Sequence, residues 1–119
     1  MPEIISFNGP LHVPEYDYPK PERLVKGNPK RTTQNLFTNA SREINSGIWE
    51  CEVGAWKIFM GPTEDEFFHV ISGKARLLVG EKITEINAGE SAIIPAGTEA
   101  IFEVVERVKK HYVIVERKV

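Results

Sequence analysis

From Ile48 onward the apolar residues fall in runs of four to six, separated by short breaks that carry glycine or proline. The runs are Trp49 to Val53, Trp56 to Met60, Glu66 to Ile71 and Ala75 to Val79, then Ile83 to Ile86, Ser91 to Ile94, Ala100 to Val105 and His111 to Val115. Between them lie Val53-Gly54, Gly61-Pro62, Ser72-Gly73, Gly80-Glu81, Asn87-Ala88-Gly89 and Pro95-Ala96-Gly97. Short β-rich runs at even spacing, with turn residues between them, predict an all-β sandwich or barrel. No segment predicts a helix beyond a turn or so around Asn39 to Glu43. The basic cluster Arg107, Lys109 and Lys110, interrupted by Val108, reads as a solvated turn between the last two strands.

The beginning of the chain has a different texture. Six of the eight prolines lie within the first 29 residues. Proline cannot donate to a sheet ladder and breaks helix interiors, so this segment predicts an extended arm with at most short strands. Ile4, Ile5, Phe7, Leu11, Val13 and Tyr16 are too apolar for a free tail. The arm is therefore expected to lie along its own barrel or a partner subunit. The resulting organisation is an N-terminal arm over residues 1–40 and a barrel over 41–119.

Composition narrows the classes. The 119 residues are 41% apolar and 27% charged, with a net charge of −2, an ordinary globular balance. A nucleic-acid partner would want a basic face, and none is legible. No apolar run approaches the roughly 20 residues that cross a bilayer. Met1-Pro2-Glu3-Ile4 lacks the basic start and long apolar stretch of a signal peptide. The single Cys51 cannot form an internal disulfide, so a cytoplasmic location is expected.

Two segments carry specific information. One runs Gly61-Pro62-Thr63-Glu64-Asp65-Glu66-Phe67-Phe68-His69-Val70-Ile71-Ser72-Gly73, the other Gly89-Glu90-Ser91-Ala92-Ile93-Ile94-Pro95-Ala96-Gly97. Glu66 precedes Gly73 by the spacing of the first motif of the cupin superfamily, and Gly89, Pro95 and Gly97 match the second. Pro95 presets φ for a tight turn and Gly97 can take positive φ, so the physics agrees with the pattern. The chain thus resembles the cupins, which implies a double-stranded β-helix, or jelly-roll barrel, here with an extended N-terminal arm. The segments Gly47 to Trp56, Asp65-Glu66-Phe67 and Val108 to Ile114 are similar to the small cupins related to ureidoglycine aminohydrolase, a group that includes an ethanolamine-utilisation protein and many uncharacterised members. The resemblance covers roughly Asn35 to Val115 and also implies a homodimer.

The metal-binding cupin pattern, carried onto this chain, places three histidines at positions 60, 62 and 100. Those positions hold Met60, Pro62 and Ala100, so Glu66 alone survives of four ligands, and neither a metal nor another cofactor is expected. Among other possible ligands, His69 lies three positions from Glu66 on one strand and should face away from it. His111 has no fixed parity, and Cys51 reads as a small buried hydrophobe.

With Glu66 inward, alternation directs Phe68 and Val70 inward too. Met60 brings Ile58 and Trp56, and Ala100 brings Thr98, Phe102 and Val104. The expected lumen has Glu66 as its one charged group. Such a lumen has two readings. In one, Trp56, Met60, Phe68 and Phe102 simply fill the barrel as core, and the domain is a non-enzymatic ligand-sensing or dimerisation module. In the other, Trp56, Met60, Phe68, Ala100 and Phe102 wall a pocket for a small polar metabolite beside Glu66, which serves as general acid or base. Glu66 is expected to be paired to a basic side chain such as Arg76, to sit at a wet mouth, or to stand alone in an apolar lumen that favours its protonated form. Trp49 and Tyr112 read as packing residues with polar tips at a rim, and Lys110 as an exposed lysine or as an anchor for an anionic substrate, exposure being the default.

Overall fold

The computed structural model describes residues 2–9 and 12–118. Leu11, expected to help anchor the arm, lies outside the described residues. The elements are almost all strands: β1 (Glu15–Asp17), β2 (Leu24–Lys26), β3 (Arg31–Thr38), β4 (Ile44–Cys51), β5 (Gly54–Phe59), β6 (Glu64–Val79), β7 (Lys82–Asn87), β8 (Ser91–Ile94) and β9 (Glu99–Glu116). A single 3-10 turn, Pro21–Arg23, precedes β2. Among the described residues no helix is long and apolar enough to cross a membrane.

Two long antiparallel strands, β6 and β9, form the spine of a jelly-roll barrel and are paired from Glu64–Glu116 to Leu78–Ile101. On the other edge of β9, its first half pairs with β5 and its second half with β4. On the other edge of β6, its first half pairs with β8 and its second with β7. The spine is thus shared by two curled halves, and the core lies between them. Phe68, Val70, Val104 and Val108 are fully buried there, with Ala75, Ile86, Ile94 and Phe102 packed around them.

Two expected turns are instead strand. Ser72-Gly73 is a bulge inside β6, where the pairing with β9 shifts register between Val70 and Ala75. Gly73 has φ +90°, and a Cβ there would lie 2.0 Å from the Arg107 carbonyl oxygen, so the close approach of the two strands excludes any side chain. The bulge bends the spine and reverses its parity: Glu66, Phe68 and Val70 face inward before it, Ala75 and Leu77 after it. Opposite it, Arg107 to Lys110 continue β9 without a break. The solvated turn expected at this cluster is overturned, because Val108 is fully buried and Lys110 is only 5% exposed. In β9, Ala100, Phe102 and Val104, then Val108, Lys110 and Tyr112, face the interior, while Glu106 between them is exposed opposite the bulge. Gly97 takes φ +78° in the turn before β9, as its position after Pro95-Ala96 predicts.

The N-terminal segment contributes short edge strands to both halves. β1 pairs with the start of β3, and β2 pairs with β5. Phe7 packs edge-on against His111 with ring centroids 4.8 Å apart, while Ile4 and Val13 remain exposed. The strand between Arg31 and Thr38 shapes the open end of the barrel. β3 pairs with β4 across the mouth and turns alternate polar side chains into it.

Candidate functional site

β3, β4, β5, β6 and β9 enclose an open cavity of about 640 Å³. One wall is aromatic. Trp56 on β5 stacks on Phe102 on β9 at 5.3 Å and 25°, and Trp49 on β4 meets Phe102 edge-on at 5.8 Å. Ile58, Met60, Ile94 and Ile114 extend this wall. Beside it the lining is polar, because alternation on β3, the strand paired with β4, presents Arg31, Thr33 and Asn35. Arg31 is held by a bidentate contact to Asp17 of β1, at 2.9 and 2.6 Å, and its guanidinium lies 5.2 Å from the Trp56 ring. The edge strand β1 thus fixes a cation over the aromatic wall.

At the deep end Glu66 and Lys110 meet. Lys110 Nζ donates to Glu66 Oε2 at 2.8 Å, with side-chain exposures of 6% and 16%. The rings of Trp49 and Phe68 lie 4.4 Å from Nζ and that of Phe102 5.0 Å. Register accounts for this: Lys110 is opposite Trp49 on one side and Val70 on the other. Four expectations are corrected here. Glu66 is not a lone carboxylate in an apolar lumen, and its partner is not Arg76, which pairs with Glu85 at 3.1 Å. Lys110 is not an exposed lysine. Nor is Glu66 the lumen's one charged group, since Arg31 and Lys110 line it as well.

Next to the pair, the Tyr112 hydroxyl donates to Asn35 Oδ1 at 2.8 Å. Burial and then the charges of Glu66 and Glu15 push its pKa up to about 12, so it remains a donor at any physiological pH. Asp65, the neighbour of Glu66, faces the other way. It accepts from Arg117 and, at 2.7 Å, from the Ala96 amide, and these bonds hold its pKa below the usual carboxylate value. Asp65 ties the Pro95–Gly97 turn to β6 and lies outside the cavity lining.

Of the side chains singled out from the sequence, Glu66, Trp56, Met60 and Phe102 meet in the cavity. Phe68 lies beneath it, fully buried, with its ring against Lys110. Ala100 opens instead on a second, smaller groove of about 290 Å³ beside Leu77 and Ile94. Tyr112, Trp49, Arg31 and Asn35 belong to the site and were not assigned to it from the sequence, and Lys110, read there by default as exposed, lies inside it. The signal was the inward alternation of β9 on either side of the exposed Glu106, and the polar alternation Arg31, Thr33, Asn35.

The residues do not fit a transition metal. Met60 and Ala100 face different cavities, Pro62 offers no donor, and Glu66 already carries the Lys110 ammonium. His69 and His111 are cross-strand partners on the outer face, away from the lumen. His69 Nδ1 lies 2.7 Å from the Ser91 hydroxyl. Cys51 is fully buried, and burial pushes its thiol up to about 12, which makes it a packing residue. Among the described residues no three His, Cys, Asp or Glu side chains cluster closely enough to hold an ion.

His111 gives a pH prediction. Burial first, then His69 and Lys109, lower its pKa below 6.5. Phe7 covers the ring edge and Ile48 is its partner on β4. Between the lowered value and 6.5 the unfolded chain binds more protons than the folded one, so stability falls as pH drops through that window. Thermal unfolding from about pH 8 to about pH 5 should show this slope, and His111→Gln should flatten it. An unchanged slope in the variant would assign it to other groups.

The barrel, its paired turn motifs and an inward glutamate define a cupin. A model of the EutQ-like cupin domain matches residues 38–112, and the chain belongs to that family. Three solved structures share its fold. EutQ of Clostridium difficile is 23% identical, with a TM-score of 0.66 over 76% of this chain and 65% of that one. A protein of unknown function of the DUF861 family from Pseudomonas syringae pv. tomato is 20% identical, with a TM-score of 0.77 over 93% and 46%. A putative ethanolamine utilisation protein Q from Salmonella typhimurium is 15% identical, with a TM-score of 0.65 over 92% and 100%. The chain thus spans less than two thirds of the length of the first two. No curated protein matches it significantly.

Proposed function

We propose that this chain binds a small polar metabolite in the barrel lumen, against the Glu66–Lys110 pair and the Trp56–Phe102 wall, without a bound transition metal. The open cavity of about 640 Å³ carries the reading, because a side-chain-filled barrel would leave no such space. Its lining supports it: a few fixed polar groups converge on one aromatic face, the arrangement that orients a small ligand. Glu66 and Lys110 supply an acceptor and a donor at one spot, so the same pocket could relay a proton to a bound molecule. The names of the EutQ relatives suggest a metabolic setting and no particular substrate.

A panel of small carboxylates, amides and amino acids, screened by thermal unfolding, tests this. At about one hundred times its Kd a true ligand adds roughly 2.7 kcal/mol, a Tm shift on the order of ten degrees for a domain of this size. Trp56→Ala should abolish that shift. A panel without effect, together with unperturbed lumen resonances in NMR, would return the barrel to a structural or partner-binding role.

A further inference from the structure

We infer that Lys110 occupies, from within the chain, a built ammonium-binding site in the lumen, and that it thereby determines which ligand class the lumen accepts. The site has four walls. The Glu66 carboxylate lies 2.8 Å from Nζ, and the rings of Trp49, Phe68 and Phe102 lie at 4.4, 4.4 and 5.0 Å. A carboxylate with three aromatic faces is the chemistry that recognises alkylammonium ions in general. These groups come from β4, β6 and β9 and converge on a point where Lys110 is only 5% exposed. The cage is therefore part of the barrel's architecture and Lys110 is its tenant.

The consequence for ligands rests on the lumen being the binding site. An ammonium offers N–H donors and no acceptor. With one donor taken by Glu66, what Lys110 presents to the cavity is further donor capacity. The ligand group that meets it must be an acceptor, a carboxylate or carbonyl oxygen. A ligand ammonium is turned away because its site is filled.

Removal of the lysine side chain tests the cage. Lys110→Ala should bind methylammonium chloride roughly tenfold more tightly than the unaltered chain, read by thermal unfolding and calorimetry against sodium chloride at equal ionic strength. The added change Glu66→Gln should remove the gain. Equal response to sodium and methylammonium, or no gain over the unaltered chain, overturns the inference. A measurement on the unaltered chain keeps the test open should the variant not fold. Ring currents from three aromatic faces should place the Lys110 ε-methylene protons upfield of every other lysine, and ordinary shifts there would equally overturn it. Methylammonium binding by the variant alongside a silent metabolite panel would sink the lumen proposal and leave the cage standing. The reverse pattern would sink the cage alone.

Discussion

Replacing Glu66 with leucine is expected to destabilise the domain by about 3 kcal/mol, a large share of the roughly 5–15 kcal/mol typical of a domain. The substitution leaves the Lys110 ammonium without a counter-ion at a point where its side chain is 6% exposed. The three rings soften the loss but cannot replace a charge-assisted hydrogen bond of 2.8 Å. Lys110→Met should cost less, because Glu66 is 16% exposed and its carboxylate can recover some hydration. The double variant should be more stable than Glu66→Leu alone, since an apolar pair of similar volume avoids the buried unpaired charge. Urea unfolding of the four proteins in a double-mutant cycle measures this coupling. Additive effects, with Glu66→Leu costing less than about 1 kcal/mol, would mean that the pair is not formed in solution.

Phe68→Ala is expected to cost about 4 kcal/mol, by the combined loss of buried surface and the cavity left behind. Phe68 is fully buried, and its ring packs against Phe102 at 6.1 Å and beneath Lys110. Its neighbour Phe67 points out of the barrel and is 43% exposed, so Phe67→Ala should cost less than about 1 kcal/mol. The contrast between adjacent phenylalanines checks the parity on which the site is built. Equal costs would place β6 in a different register, with Glu66 outside the lumen.

Much of this was legible in the residues. The Glu66–Gly73 and Gly89–Pro95–Gly97 spacings identify the barrel, because turn glycines and a fixed proline φ leave few alternatives. Alternation from Glu66 places Phe68 and Val70 inside, and alternation from Met60 places Trp56 and Ile58. Where reasoning from sequence failed, it failed for identifiable reasons. Lys110 reads as exposed because an isolated lysine usually is, and its counter-ion lies 44 positions away in sequence. Ser72-Gly73 reads as a turn because a bulge glycine and a turn glycine satisfy the same need for positive φ. Arg31, Thr33 and Asn35 lie just past the proline-rich stretch, and their polar alternation makes sense only once β4 supplies the partner strand. The polar wall was therefore invisible from any single segment. It arises where β1, β3 and β9 meet across the mouth.

The lumen itself offers the most direct check. A crystal structure of the protein as purified should show the cavity open beneath Arg31 and Trp56, with Lys110 Nζ on Glu66 and ordered water or a bound small molecule at the pair. A lumen closed by the side chains of Trp56, Met60 and Phe102, with Lys110 turned out to solvent, would contradict the account and make Glu66 a structural residue.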